Sequence, residues 1–176
     1  MNVFYTSEDP QQAAIWHCDK HCRKMILEYT QQLITARVMK GELTTSNVTE
    51  DCLREDGNLK YYTYRMRNHP CCVWVRHDRK GFVYVSQLLY WLCKEFEYRW
   101  NKKHSTERYY FDTLPEADLN KLFPHRRKTK AVPTAVSGNT IIPNNPVETY
   151  RLFYMTKQDR WDLKWTKREK PPWFTR

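Results

Sequence analysis

Chemically active side chains recur at helical spacing near the start of the chain, at His17, His21, Lys24 and Glu28. On a helical wheel at about 100° per residue, they share one narrow band with Gln31, Gln32 and Thr35. A carboxylate beside imidazole and ammonium groups can transfer protons and hold an anion. Either the band lines a cleft and carries out chemistry there, or it is an internal network in which Lys24 pairs with Glu28.

A single helix predicted from Asp9 to Lys40 would position this band. Asp9 is a favourable N-cap, Pro10 suits the first turn, and Gly41 is a typical residue at which a helix ends. Apolar residues flank the band on both sides, whereas an ordinary surface helix has one apolar face and one polar face. We expect the side opposite the band to face solvent, and it carries Asp19, Arg23, Thr30 and Arg37.

A second long helix is predicted from about Asp78 to Lys103, because apolar residues recur there at helical spacing and should form a buried face. Glu95 and Arg99, spaced i, i+4 on this helix, are expected to pair on its surface. A third helix is predicted from Pro146 to about Trp165.

Between these helices, residues 41–67 are mostly polar and residues 104–145 are interrupted by prolines, so both are predicted to be loop-rich insertions. A chain of 176 residues fits one domain with a real core. The predicted fold is therefore mainly α. It is a compact single-domain helical fold over residues 1–176, with two long helices, a C-terminal helix and long loops.

The composition favours an anionic partner. Basic residues number 30 against 20 acidic ones, a formal net charge of +10, and aromatic residues make up 15% of the chain, with seven tryptophans and twelve tyrosines. Cations mixed with aromatic rings bind phosphates and stack on bases, so we expect nucleic acid as the partner. A basic run suited to phosphate contacts comprises Arg126, Arg127, Lys128 and Lys130, although such a run is more often a solvated segment.

Several classes of protein and site are disfavoured. The first ten residues do not form a signal peptide and no apolar run would span a bilayer, so we expect a cytoplasmic protein without membrane contact, in the host cytoplasm if phage-encoded. The six cysteines are then expected to remain thiols. Cys18 and Cys22 should point away from the histidines, so we expect no metal. With four glycines and no glycine-rich phosphate loop, we expect no cofactor.

A set of motifs in a particular order resembles a known family. The set begins with a short N-terminus and continues with His21-x-x-Lys24-x-x-x-Glu28, Asn68-His69-Pro70, Trp74, Glu95, Arg99 and Pro172-Trp173-Phe174. In order and spacing these resemble the pyrimidine-dimer DNA glycosylases of the endonuclease V type, and more closely their uncharacterised phage and bacterial relatives. The resemblance covers the first helix, the second helix and the tail, but not residues 41–67 or 108–145.

The resemblance implies a DNA glycosylase and abasic-site lyase acting on a damaged or modified pyrimidine flipped out of double-stranded DNA. The N-terminal amine would attack the sugar C1′, and Glu28 would be the acid/base. An α-amine has a pKa of about 8, so a good share is unprotonated at neutral pH. The nucleophile would be the amine of Met1, or of Asn2 after Met1 is removed. His21 and Lys24 complete the implied catalytic set.

The same resemblance suggests residues that would bind the substrate or its phosphates: His17, Gln31, Asn68, His69, Arg99, Arg126, Arg127, Lys128 and Trp173. For Asn68 and His69 the structural alternative is a helix-capping turn before Pro70. For Trp173 it is packing of the tail.

Two other functions fit the sequence. One is an enzyme of the same fold that modifies nucleotides or counters host defence without imine chemistry, and that needs Glu28 and the histidines but no free amine. The other is a non-catalytic nucleic-acid-binding protein in which the polar band is only structural.

Overall fold

The computed structural model describes residues 2–43, 66–109, 117–125, 130–136 and 139–175. Its helices are α1 Pro10–Trp16, α2 Asp19–Met39, α3 Pro70–His77, α4 Arg79–Trp100, α5 Leu119–Leu122 and α6 Pro146–Met155, which continues into a 3₁₀ helix, Thr156–Asp159. Those ranges contain no β-strand, so the mainly α prediction with two long helices is confirmed. The C-terminal helix is shorter than predicted.

The predicted helix from Asp9 to Lys40 is two helices, α1 and α2. Asp9 is the N-cap, as expected, and its carboxylate accepts from the Gln11 N–H at 2.9 Å. The chain leaves helical geometry at His17, with ψ of 128°, and at Cys18, with ψ of 165°. The sequence offers no proline or glycine at this break, so its cause lies elsewhere in the fold.

Side chains from distant segments take up the carbonyl groups at the break. Arg99 donates to the carbonyl oxygens of Ile15 at 2.9 Å and His17 at 2.8 Å. The Trp165 indole donates to the Trp16 oxygen at 3.0 Å. A helix end needs partners for its last carbonyls, and here tertiary contacts supply them.

The predicted solvent side of α2 is wrong at two of its four residues. Thr30 is 2% exposed and Arg37 is 1% exposed. Thr30 Oγ1 donates to the Ile26 oxygen at 2.8 Å, within the helix. Arg37 pairs with Glu42, because the chain turns back at the end of α2 and brings that carboxylate over the guanidinium. Arg23 does remain exposed, 4.3 Å from the centre of the Trp100 ring.

The core lies between α2, α3 and α4, with α1 and α6 closing its sides. The predicted buried face of α4 is confirmed for Phe82, Val85, Leu89, Leu92, Cys93 and Phe96. It packs in one cluster with Met25, Ile26, Tyr29 and Leu33 of α2. Tyr150 and Tyr154 bring α6 into the same cluster. The helix α4 ends at Asn101, in the left-handed conformation with φ of 51°.

Glu95 and Arg99 do pair, at 2.8 Å, but inside the protein rather than on its surface. The Arg99 side chain is 0% exposed and that of Glu95 is 4% exposed. Arg168 makes two further hydrogen bonds to Glu95, each 2.9 Å long. Asp19 accepts from Arg99 at 3.0 Å and from the Thr166 hydroxyl at 2.7 Å. The C-terminal tail is thereby fastened to α2 and α4 through buried charges.

The corner between α3 and α4 depends on the absence of a side chain at Gly81. A Cβ at this position would lie 2.8 Å from a ring carbon of Trp74. Trp74 is 5% exposed and also packs against Tyr5 and Tyr84, so its ring has little room to move.

Replacing Gly81 with alanine should therefore destabilise the protein, although alanine normally favours a helix by about 1 kcal/mol over glycine. We expect a net loss of about 1–3 kcal/mol, the usual cost of overpacking a core, measured by denaturant unfolding. Lys80→Ala at the exposed neighbouring position is the control and should change stability by about 0.5 kcal/mol or less. A stabilised G81A would contradict the close packing.

Replacing Arg99 with methionine should cost about 3–5 kcal/mol of unfolding free energy, because it leaves the Glu95 and Asp19 carboxylates short of a buried partner. The control is Lys94→Ala, which removes an exposed ion pair with Glu97 on the same helix and should cost less than about 1 kcal/mol. Equal effects of the two substitutions in thermal denaturation would show that the buried pair is not important to stability.

Candidate functional site

Glu28 and Lys24 form an ion pair on α2, with Lys24 Nζ 3.2 Å from Glu28 Oε1. The Lys24 side chain is 66% exposed, whereas that of Glu28 is 15% exposed. Glu28 is therefore a carboxylate at the edge of the protein interior, reached by solvent and screened by its neighbours. If the band is an internal network, this is the ion pair that it requires. The pair also leaves the Glu28 carboxylate accessible to a substrate, as a functional cleft would require.

The beginning of the described chain is fixed to α2 and α3 by hydrogen bonds to Tyr29 and Cys71. The Val3 N–H points at Cys71 Sγ of α3 at 3.4 Å, and the Phe4 N–H donates to the Tyr29 hydroxyl at 3.1 Å. Val3 is 0% exposed and Phe4 is 6% exposed, so this segment is buried between α2 and α3. Tyr29 directly follows Glu28 in α2. Asn2 is half-buried at the start of the segment, and Met1 lies outside the described residues.

His17 is buried, and its ring connects the Ala13 carbonyl of α1 to the Tyr29 hydroxyl of α2. Its Nδ1 lies 2.7 Å from the Ala13 carbonyl oxygen, so Nδ1 carries the proton and donates it. Its Nε2, 3.3 Å from the Tyr29 hydroxyl, then accepts from that hydroxyl, which in turn accepts from Phe4. Complete burial is the main reason why the pKa of His17 falls to about 4.

His21 lies among aromatic rings. It stacks on Phe4, with ring centres 4.4 Å apart, and meets the faces of Tyr154 and Trp161 edge-on at 4.8 and 5.6 Å. Burial, together with the charges of His17, Lys157 and Lys24, lowers the pKa of His21 to about 3. Its Nδ1 is buried without a hydrogen-bond partner among the described residues. At neutral pH both His17 and His21 are therefore uncharged.

His69 is the N-cap of α3, and its Nδ1 accepts from the Cys71 N–H at 3.2 Å. The helix-capping alternative is thus what this side chain does in the structure. It is half-buried, and burial lowers its pKa while the negative charge of Glu28 acts in the opposite direction. His69 and Glu28 are therefore close enough to interact electrostatically. Asn68 is exposed at the same turn.

The remaining candidates are spread over the molecule. Gln31 is half-buried on α2, and its backbone oxygen accepts from Thr35 at 2.6 Å. Arg99 is enclosed in the charge network described above. Trp173 packs against Trp16 with ring centres 5.8 Å apart, which agrees with tail packing. Arg126, Arg127 and Lys128 lie outside the described residues.

Two contributions to this region were not predicted from the sequence. Tyr29, predicted only as a flank of the band, joins the N-terminal segment to His17. Lys157 affects His21 from the 3₁₀ helix after α6. Helical periodicity places Tyr29 correctly on a buried flank, but no local pattern reveals a contact with a segment 25 residues earlier.

The cysteines do not supply a nucleophile in the described chain. Cys18, Cys22, Cys71, Cys72 and Cys93 are buried and unbridged. Burial raises the pKa of the Cys22 and Cys72 thiols to about 12 and also raises those of the other three. A thiol must ionise before it attacks, so these groups are inert at neutral pH. Across the described ranges, no three His, Cys, Asp or Glu side chains are arranged to hold a metal ion.

Neither a protein-family model, nor a curated protein, nor a solved structure matches this chain. Among the described helices, none has both the length and the apolar character needed to cross a membrane.

The buried neutral histidines predict a stability that falls with acid. Their folded pKa values of about 4 and 3 lie below 6.5, so below pH 6.5 the unfolded chain binds protons that the folded chain does not. Each histidine should then lower the unfolding free energy by about 1.4 kcal/mol per pH unit from pH 6.5 down toward its folded pKa. Urea unfolding at several pH values between 8 and 4.5 measures the slope.

His21→Phe should make that slope shallower, because phenylalanine can stack on Phe4 without titrating. His125→Gln, at an exposed position, is the control and should keep the wild-type slope. A wild-type protein as stable at pH 4.5 as at pH 7.5 would be incompatible with two buried neutral histidines.

Proposed function

We propose that the protein is a DNA glycosylase and abasic-site lyase that acts on a damaged or modified pyrimidine through its N-terminal amine, with Glu28 as acid/base. The observation that supports this most directly is the anchoring of Val3 and Phe4 to Cys71 and Tyr29. It ties the beginning of the described chain to Tyr29, the residue that follows Glu28 in α2.

The covalent chain limits how far the amine can be from this anchor. Two peptide units separate Val3 from Met1, which spans at most about 7.6 Å between Cα atoms. If Met1 is removed, the amine of Asn2 is one unit from Val3. In both cases the amine is tethered to a segment that is hydrogen-bonded to Tyr29, the residue after Glu28, and such tethering supports catalysis by proximity.

The reaction follows from these two groups. The amine lone pair forms a bond to the sugar C1′, and the C1′–N glycosidic bond breaks with its electron pair going to the base. Glu28 accepts a proton from the amine nitrogen and delivers it to the ring oxygen O4′ as the C1′–O4′ bond breaks, while the departed base takes a proton from water. The resulting imine acidifies the C2′ hydrogen, and its loss expels the 3′ phosphate.

The other candidates have supporting roles. His17 and His21 are uncharged at neutral pH, with pKa values of about 4 and 3, so they position the segment and the helix rather than transfer protons. Lys24 pairs with Glu28 in the absence of DNA and can turn to a phosphate when DNA binds. His69 faces the Glu28 charge from the start of α3.

The Lys24–Glu28 pair favours a second candidate as well. A non-catalytic nucleic-acid-binding protein would keep Glu28 to satisfy Lys24, as the structural interpretation of the band requires. The two candidates differ in what happens when the carboxylate becomes an amide.

Incubation with DNA containing an abasic site and borohydride should trap a covalent adduct, because borohydride reduces the imine to a stable amine. Glu28→Gln should slow adduct formation by about 100-fold or more, the typical contribution of an acid/base group. Acetylating the N-terminus should abolish it. Adduct is measured by gel electrophoresis against time.

Glu97→Gln is the matched control, because Glu97 also pairs with a lysine on its own helix, at 3.5 Å, without approaching the N-terminal segment. It should leave the trapping rate unchanged. DNA binding by E28Q at wild-type affinity, with no adduct from the wild type, would support the binding protein and reject the lyase. Cleavage by an N-terminally blocked protein would instead support an enzyme without imine chemistry.

A further inference from the structure

Two cations outside the predicted site, Lys157 and Arg160, lie on the segment that follows α6. Lys157 belongs to the 3₁₀ helix Thr156–Asp159, and Arg160 directly follows it. Lys157 is half-buried, with Nζ 3.8 Å from the centre of the Phe153 ring, and Arg160 is exposed. Among the residues that the structure describes, no carboxylate forms an ion pair with either cation.

The segment that carries these two cations packs against α2 one turn before Lys24, because Trp161, the residue after Arg160, contacts His21 with ring centres 5.6 Å apart. Burial lowers the pKa of Lys157, and the positive charges of Arg160 and Lys24 lower it further. The charges of Lys157 and Lys24 also both act on His21. We call Lys24, Lys157 and Arg160 the cation cluster. Glu28 already pairs with Lys24, so the charge that a bound anion would offset is mainly that of Lys157 and Arg160.

Aromatic rings form the floor of the cluster. Phe153, under Lys157, lies parallel to Phe4 with ring centres 6.4 Å apart, and Phe4 stacks on His21 at 4.4 Å. On the other side, Lys20 Nζ lies 5.1 Å from the centre of the Trp161 ring. Cations set among rings suit a ligand with both a phosphate and flat or apolar parts, which nucleic acid provides.

We propose that the cation cluster binds one backbone phosphate of DNA, next to the nucleotide whose sugar faces Glu28. Lys24 joins the two sites, because its ammonium group lies 3.2 Å from Glu28 Oε1. The inference rests on the proposed function for the identity of that nucleotide. The phosphate site adds Lys157 and Arg160 as the residues that fix the position of the DNA strand along the protein surface, so that one sugar faces the amine.

The test measures binding by fluorescence anisotropy to a duplex that carries a tetrahydrofuran abasic analogue, which cannot form an imine. A series of duplexes replaces one phosphate at a time around the analogue with a neutral methylphosphonate. At one linkage, the replacement should weaken binding by the wild-type protein by about tenfold. The same replacement should weaken binding by K157Q/R160Q by less than about twofold. The double variant should also lower the slope of log affinity against log salt by about 1.

The double variant R79Q/K80Q is the matched control, because it removes the same charge from exposed positions in the first turn of α4. It should respond to every linkage as the wild type does. R160Q alone, at an exposed position, should show part of the effect and guards against misfolding of the double variant, which circular dichroism also checks.

Equal responses of the wild type and K157Q/R160Q at every linkage would overturn the proposal, as would absence of DNA binding by the wild type. Failure of the proposed amine chemistry can be distinguished from failure of the phosphate site. If the linkage effect is found but borohydride traps no adduct, the phosphate site stands and the amine chemistry does not. If an adduct forms without a linkage effect, the amine chemistry stands and the phosphate site does not.

Discussion

The buried guanidinium of Arg99 is the constraint on which the rest of the structure depends. A charge with a side chain that is 0% exposed must have its hydrogen-bond donors satisfied, and Arg99 makes four hydrogen bonds, to Glu95, Asp19 and the carbonyls of Ile15 and His17. Arg168 also bonds to Glu95, so two guanidinium groups balance the two carboxylates. These bonds take up carbonyls that a continuous helix would use, so they end α1 and join it to α4 and the tail.

The break at His17 is what connects the fold to the candidate site. Outside the helix, the His17 ring bonds to the Ala13 carbonyl and the Tyr29 hydroxyl, which holds the Phe4 N–H. The order of dependence therefore runs from Arg99 to the break, from the break to His17 and Tyr29, and from Tyr29 to the N-terminal segment. The buried ion network of Arg99, Glu95 and Asp19 thus determines where the N-terminal segment lies.

The sequence predicts what repeats locally and misses what depends on distant partners. The apolar spacing in α4 was sufficient to predict its buried face, and Asp9 was sufficient to predict the start of α1, because each depends on neighbouring residues. The break at His17, the burial of Thr30 and Arg37, and the burial of Glu95 with Arg99 were not predicted, since each is fixed by a contact or a covering segment that periodicity does not reveal. Within the site, the Lys24–Glu28 pair followed from i, i+4 spacing, whereas Lys157 comes from a segment more than a hundred residues away.

The electrostatics of the region narrow its possible chemistry. Burial removes proton transfer at neutral pH from His17 and His21, whose pKa values fall to about 4 and 3, and it keeps the described thiols protonated. Glu28 remains as a partly exposed carboxylate, and Tyr29, the residue after it, holds the N-terminal segment. Among the described residues, the buried histidines and thiols are therefore unsuited to proton transfer or nucleophilic attack at neutral pH, whereas Glu28 is a carboxylate that solvent can reach.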